Sequence, residues 1–358
     1  MHRLVLPLAL LACSPEVWAP DEDVSDALEV ILTDADGLNR PQDLAFDNAE
    51  TDRLWIVNRR DFTVTIVHDA STPGRTAETR LDPAADHFLE NVSSIAFGMH
   101  GMFGTCQDSR NTYGGVAPPN DFMGPALWSS DLSVFAQSNP EAVAFLTERD
   151  GRHTDLGSHL DMLHESPLCV GIAWETDNVY WVFDGMDGAI VRYDFVEDHG
   201  PGFNDHSNGV IHRYRSGDVA RADRTVSHLA FHHDTGTLFI ADSGNGRLAT
   251  LDTTAGELGR DLPAKEAGTV HKRVVGAFVE DFVTEGLVRP AGLHLVGDRL
   301  LVTDAETAEI HIFDLDGRLR STLSTGLGSG ALAGIWAETL DDIWLVDARR
   351  DQLLRLRR

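Results

Sequence analysis

The chain has 358 residues, of which 57 are Asp or Glu and 29 are Lys or Arg, for a formal charge of −28. Such a surface repels phosphate backbones and anionic headgroups, which argues against nucleic acid as a partner and reads first as solubility. Glycine is frequent, at 32 residues, as a turn-dense β protein requires. Past the first residues, no stretch approaches the ~20 apolar residues of a membrane span.

Residues 1–12, MHRLVLPLALLA, join a basic start to a short apolar core, the pattern of an export signal. Leu10-Leu11-Ala12-Cys13 resembles the lipobox of bacterial lipoproteins. The resemblance implies cleavage before Cys13, a diacylglycerol on its sulfur and an acylated amino terminus. Two or more acyl chains anchor stably where one does not. An ordinary secretory signal with an incidental Cys is the alternative. The expected location is the bacterial cell envelope, facing the periplasm or the outer surface, with lipid as the sole membrane contact. Residues 13–27 carry Pro and a run of acids and read as a tether. LEVIL, 28–32, is then an isolated strand.

A unit with a period of about 50 residues comes next. A short apolar strand ends on Asp or Asn, a tight turn succeeds it, and a partner strand returns. Asn58, Asp184, Asp242, Asp304 and Asp347 end these strands. Asn245-Gly246 is a turn pair that tolerates the positive φ a hairpin needs. Each copy is preceded by a run such as DLAF, GIAW, HLAF, GLHL or AGIW. The strands ending on the acids are nearly continuous apolar runs, as strands covered on both faces are.

The unit resembles the NHL repeat, and residues 28–358 look like an all-β, six-bladed β-propeller of the NHL/TolB-like type. The resemblance implies architecture and not activity, because propellers host many unrelated functions. It places blades at 39–81, from 92 onward, and at 167–215, 225–252, 288–315 and 331–357. Segment 255–287 links the fourth to the fifth and supplies outer strands. LEVIL is the candidate to close the ring on the last blade, which removes a free sheet edge. Insertions interrupt the ring at 107–166 and 197–209. The first is expected to hold a strand in ALWSSDLSVF (126–135) and a helical turn in SHLDMLHES with Ser158 as N-cap. Both are expected on one disc face, which would then carry the ligand.

Cys106 ends the second strand of blade two, and Cys169 begins the first strand of blade three. In an antiparallel blade these two points lie at the same end. Export permits oxidation, so a Cys106–Cys169 disulfide is expected, worth ~2–5 kcal/mol. Two buried free thiols are the alternative.

The repeated Asp and Asn residues read as acceptors for turn N–H groups before they read as catalysts. Asp194, Asp198, His199, Asp205 and His206 crowd one hairpin insertion. Such oxygen and imidazole donors would hold Ca²⁺ or Zn²⁺, although a solvated polar loop is the simpler reading. His159 and His164 lack the i, i+4 spacing of a helical zinc motif. His228, Gln42, Asp43 and Asn58 fall where propeller residues line the central channel and are the ligand candidates there.

The lyase half of the peptide-amidating enzyme, also an NHL-type propeller, holds zinc on histidines that begin three innermost strands. The matching positions here are Gln42, Ser93, Val170, Ser227, Ala291 and Ala333, so that trio is absent, and His228 is one residue out of register. No Gly-x-Ser-x-Gly elbow or phosphate-binding glycine loop is present. The expected function is therefore that of a monomeric binding or scaffold protein of the cell envelope, recognising a protein, peptide or glycan. A metal-dependent hydrolase or lyase is the alternative, its ion in the channel or the 194–206 loop.

Overall fold

Short apolar strands alternating with tight turns build six separate sheets, and these pack radially as a six-bladed β-propeller. The structure is a computed structural model that describes residues 18–99 and 101–358. The export signal, Cys13 and the start of the tether lie outside the described residues. Strands are lettered A to D from the axis outward. Strand B is the most deeply covered, and Leu54–Asn58 of blade one is buried at every position. Neighbouring blades are glued by aromatic contacts: the Trp55 ring of blade one lies 5.1 Å from Phe103 and 4.9 Å from Phe135 of blade two.

The ring closes as expected. Leu28–Leu32 pairs antiparallel with Gln352–Arg357 and supplies strand D of blade six. A second strand, Asp21–Asp23, adds in parallel to Leu319–Ser324 at the rim of blade five. The 255–287 segment does more than link. Its hairpin, Glu257–Asp261 and Val270–Val275, crosses to blade three, where Val270–Val275 pairs in parallel with Val210–Arg213. Val279–Val283 then returns as strand D of blade four.

Two expectations about the insertions are corrected. SHLDMLHES is not helical. Asp161–Met162 forms a two-residue strand D against Ala126 and Leu127. Ser158 caps nothing: its hydroxyl donates to Asp82 at 2.7 Å and accepts from Ala136 N–H at 2.8 Å. The buried Asp82 carboxylate and the open sheet edge outcompete a local helical turn. The helix of this insertion is Pro140–Asp150, with Asn139 accepting from Glu141 N–H and Gly151 at φ 66° behind it. That Asn-Pro start and Gly stop are readable helix signals.

The first insertion is divided between the two faces. Residues 108–125 join strands B and C of blade two, whereas 130–160 join its strands C and D, at the same end of an antiparallel blade as the C–D connection 197–209 of blade three. They meet at the rim, beyond the two-residue strand D of blade two, where His199 N–H donates to Leu160 O and Gly202 N–H to His159 O.

Cys106 and Cys169 form the expected disulfide, with Cα atoms 5.1 Å apart. The blade acids are structural. Asp184 accepts from the N–H groups of Met186 and Asp187, Asp347 from those of Arg349 and Arg350, and Asp304 from Glu306, Thr307, Val288 and Arg289. At the axis the A strands touch directly. Ser227 N–H donates to Val170 O and His228 N–H to Ala291 O, both at 2.9 Å. Gly171 permits this approach, since a Cβ there would sit 2.0 Å from Ser227 O.

Candidate binding site at the two mouths of the channel

The tight axial ring leaves a cavity on either side. The starts of the A strands and the B–C turns line one, of about 470 Å³. The middles and ends of the A strands line the other, of about 440 Å³. The channel candidates are divided between them. Gln42 borders the first cavity, with its amide donating to Arg40 O and Pro41 O. Asp43 and His228 border the second and face each other, Oδ1 to Nδ1, at 3.5 Å. Asn58 borders neither. It is fully buried, accepts from Asn39 N–H, and donates to Gly37 O and the Thr63 and Thr65 hydroxyls.

Asp43 is a joint between blades. Its carboxylate accepts from Leu44 N–H and Ile95 N–H, both at 2.9 Å. Burial pushes its pKa up, opposed by His228 and by those two bonds. The His228 ring also reaches Ser93 O at 3.3 Å. The pair is thus engaged in packing three blades together.

The first mouth was not singled out by sequence. Arg40, Arg60, Arg224, Arg289 and Arg349 line it, against only Asp223 and Asp351. In a chain of charge −28 this is a local inversion of sign. Arg40 and Arg60 have no salt-bridge partner among the described residues. Desolvation, then the neighbouring Arg59, Arg224 and Arg60 guanidiniums, holds the Arg40 pKa below its usual value against the opposing pull of Asp351. Arg289 pairs with Glu306 at 2.7 Å, and Arg349 donates to Ser329 O at 2.8 Å. Guanidiniums present flat forks of N–H donors suited to carboxylate or phosphate. A sequence signal existed: Arg-Pro precedes strand A in blades one and five, and Arg-Arg-Asp succeeds strand B in blades one and six.

The opposite mouth is aromatic. Phe46, Phe97, Trp174, Phe231 and Trp336 surround it, all half-buried, with His233 and His294 between them. Phe46 lies 4.3 Å from Trp336, and Trp174 lies 5.1 Å from His233. Desolvation brings the His294 pKa down to about 4 despite a 2.9 Å bond to Ala337 O.

The polar insertion does not assemble the set considered from sequence. Asp198 is exposed and accepts from Gly200 N–H, and Asp205 is exposed and accepts from Ser207 N–H. The His199 ring reaches Ser207 O at 3.2 Å, and Asp194 accepts from Val196 N–H. His206 Nδ1 lies 2.9 Å from Asp161 Oδ1, and His199 Nε2 lies 3.9 Å from the other oxygen of that carboxylate. Among the described residues, no three His, Cys, Asp or Glu side chains close around one point.

No protein-family model matches the chain, and no curated protein matches it in sequence. Solved structures do resemble it. A Bacteroides thetaiotaomicron protein of unknown function superposes with a TM-score of 0.55 at 10% identity, over 92% of this chain and 74% of that one. An auxiliary nutrient binding protein from Bacteroides ovatus gives 0.53 at 11% identity, over 92% and 75%. Virginiamycin B lyase from Staphylococcus aureus gives 0.51 at 12% identity, over 92% and 98%. At these identities the likeness is one of fold: the chain is a six-bladed β-propeller with NHL-like propellers among its structural neighbours.

Proposed function

We propose that this protein is an exported, lipid-anchored binding protein of the bacterial envelope that captures an anionic group at the arginine mouth. The observation carrying the reading is the sign inversion there: five arginines converge on one cavity of a strongly acidic chain. Unpaired cations crowd together at a cost, and a bound carboxylate or phosphate offsets it through charge-assisted hydrogen bonds. The negative remainder of the surface repels polyanions at long range, so the ligand is small or offers a single charged end. A uronic-acid residue of a glycan and a peptide C-terminus both fit a cavity of about 470 Å³. The Bacteroides ovatus neighbour is described as nutrient binding, which agrees with a capture role. Anchoring through Cys13 rests on the Leu-Leu-Ala-Cys sequence and would hold such a receptor at the membrane.

Calorimetry with galacturonate oligomers, short peptides and their amidated or reduced counterparts tests the binding reading. Charged forms should bind and neutral forms should not. Equal binding of both would defeat it. Mass spectrometry of the membrane-extracted protein tests the anchor, which predicts an acylated Cys13 as the first residue.

A further inference from the structure

The aromatic mouth is built from one position of the repeat, blade after blade. Near its outgoing end, strand A carries Ala-Phe at Phe46, Phe97 and Phe231 and Ala-Trp at Trp174, while Trp336 stands one position earlier in blade six. The rings gather in two arcs. In one, centroids step 4.3 Å from Phe46 to Trp336 and 5.6 Å from Trp336 to His294. In the other they step 5.1 Å from Trp174 to His233 and 5.0 Å from His233 to Phe231. Around a ring of six, blades six and one stand across the axis from blades three and four. The arcs therefore face each other over the cavity of about 440 Å³, a volume typical of small-molecule sites.

The lining excludes a charged occupant. It holds no Lys or Arg, and Asp43 is its sole carboxylate. That carboxylate is committed to Leu44 N–H, Ile95 N–H and the His228 ring. Burial pushes Asp43 towards its neutral form and keeps His294 neutral at pH 7. No free counter-charge awaits a cation, and a chain of charge −28 repels anions. The lining also excludes a wholly apolar occupant. The Asn48 amide donates to Gly98 O, and His294 Nε2 meets Ala337 O. Among the described residues, Asn48 Oδ1, His294 Nδ1 and both ring nitrogens of His233 have no hydrogen-bond partner. A ligand without polar groups would strip water from these atoms and offer nothing in return.

Shape narrows the choice further. Phe46 and Trp336 are inclined at 42°, and Trp174 and His233 at 52°. Each wall is thus a faceted trough and not a flat plate. A planar heteroaromatic ring stacks best between parallel plates. A chair-shaped sugar is thicker: it carries C–H groups on both faces and hydroxyls around its edge. Aromatic faces bear partial negative charge and attract such polarised C–H groups. The rings are also held in place from behind. Phe46 packs on Trp344 at 5.6 Å, and Phe231 on Trp181 at 6.4 Å, so little side-chain freedom remains to be lost on binding.

The geometry points to the aromatic mouth as a second binding site, which takes a neutral pyranose, a hexose unit of a glycan, between its two arcs. Trp336 and Trp174 offer the platforms for the C–H faces. His233, His294 and Asn48 offer acceptors and donors to the hydroxyls. The site is separate from the arginine mouth, because the hydrogen-bonded axial ring lies between the two cavities.

The test titrates the full chain with cellohexaose, maltohexaose and mannohexaose, reading heat and tryptophan emission. At least one should bind at millimolar concentration or below and shift the emission of the unaltered protein. Trp336→Ala should weaken that sugar at least about tenfold. Trp336→Phe keeps a ring and the packing, so it should weaken binding less while removing much of the emission change. Molar salt, and Arg40→Ala with Arg60→Ala, should leave sugar affinity unchanged, which separates this site from the anion site whatever becomes of that reading. Silence across the three sugars, or binding of riboflavin in their place, would overturn the inference. So would undiminished affinity in a folded Trp336→Ala protein, or loss of sugar binding in the arginine variant.

Discussion

The two mouths of the channel have nearly equal volumes and opposite chemistry. One is ringed by guanidiniums, the other by half-buried aromatic rings. The same A strands serve both, since Gln42 and Ala291 face the first while Asp43 and Leu293 face the second. Their difference lies in the chain segments at the two ends of each strand. The D–A and B–C connections deliver arginine to one side, whereas the outgoing ends of the A strands deliver Phe and Trp to the other. A propeller thus separates two binding chemistries by strand direction alone, with the hydrogen-bonded axial ring as the partition.

That contrast can be broken in several ways. The largest effect is expected from Arg40→Ala combined with Arg60→Ala. Loss of two charge-assisted contacts, each worth about 1.5–3 kcal/mol, should weaken anion binding by at least a hundredfold in calorimetry. Trp336→Ala, on the other side, should leave that affinity within about twofold. If it does as much damage, the mouths are one site and the partition is wrong.

The partition itself depends on Gly171. Gly171→Ala forces a methyl against Ser227 O and should lower stability by about 3 kcal/mol in urea unfolding. An undiminished midpoint would show that the axial contact is looser than described.

A third effect belongs to the aromatic side. His294 titrates near 4 when folded and near 6.5 when unfolded. Between these values the unfolded chain holds more protons, so the stability His294 provides at neutral pH is lost as pH falls from 6.5 towards 4. After allowance for its partial exposure to the cavity, this amounts to roughly 2 kcal/mol. His294→Gln should flatten the stability–pH curve in that window. An unchanged slope would remove His294 as the cause.

The smallest effect sharpens the electrostatic side. Raising ionic strength from 0.01 to 0.1 M shortens the Debye length from about 30 to about 10 Å and should weaken anion binding by a few fold. A ligand held by the aromatic mouth should be insensitive to the same change.

The architecture was legible because it repeats. Six similar strand pairs, most of them ending on Asp or Asn, specify six blades, and LEVIL had no partner except the last of them. The disulfide was legible because strand polarity alone puts Cys106 and Cys169 at one end of adjacent blades. The helix Pro140–Asp150 had readable caps that the long insertion obscured. Ser158, by contrast, had a cap signal that lost to Asp82, a partner 76 residues away. The division of the first insertion between the two faces was missed because a B–C connection and a C–D connection look alike in sequence yet leave a blade at opposite ends.

By itself, then, the sequence determined the local grammar: which residues form strands, where they turn, and that the units close into a ring. Those features rest on neighbouring residues and on a period, so they survive without knowledge of the fold. Only the tertiary structure decided what meets. Five arginines from separate connections become one mouth because radial packing converts equivalent loop positions into neighbours. Asp82 and Ser158 lie 76 residues apart along the chain but hydrogen-bond because the first insertion packs against the connection between blades one and two. Contacts of that kind depend on the directions in which rigid sheets pack, which no local pattern of residue types encodes.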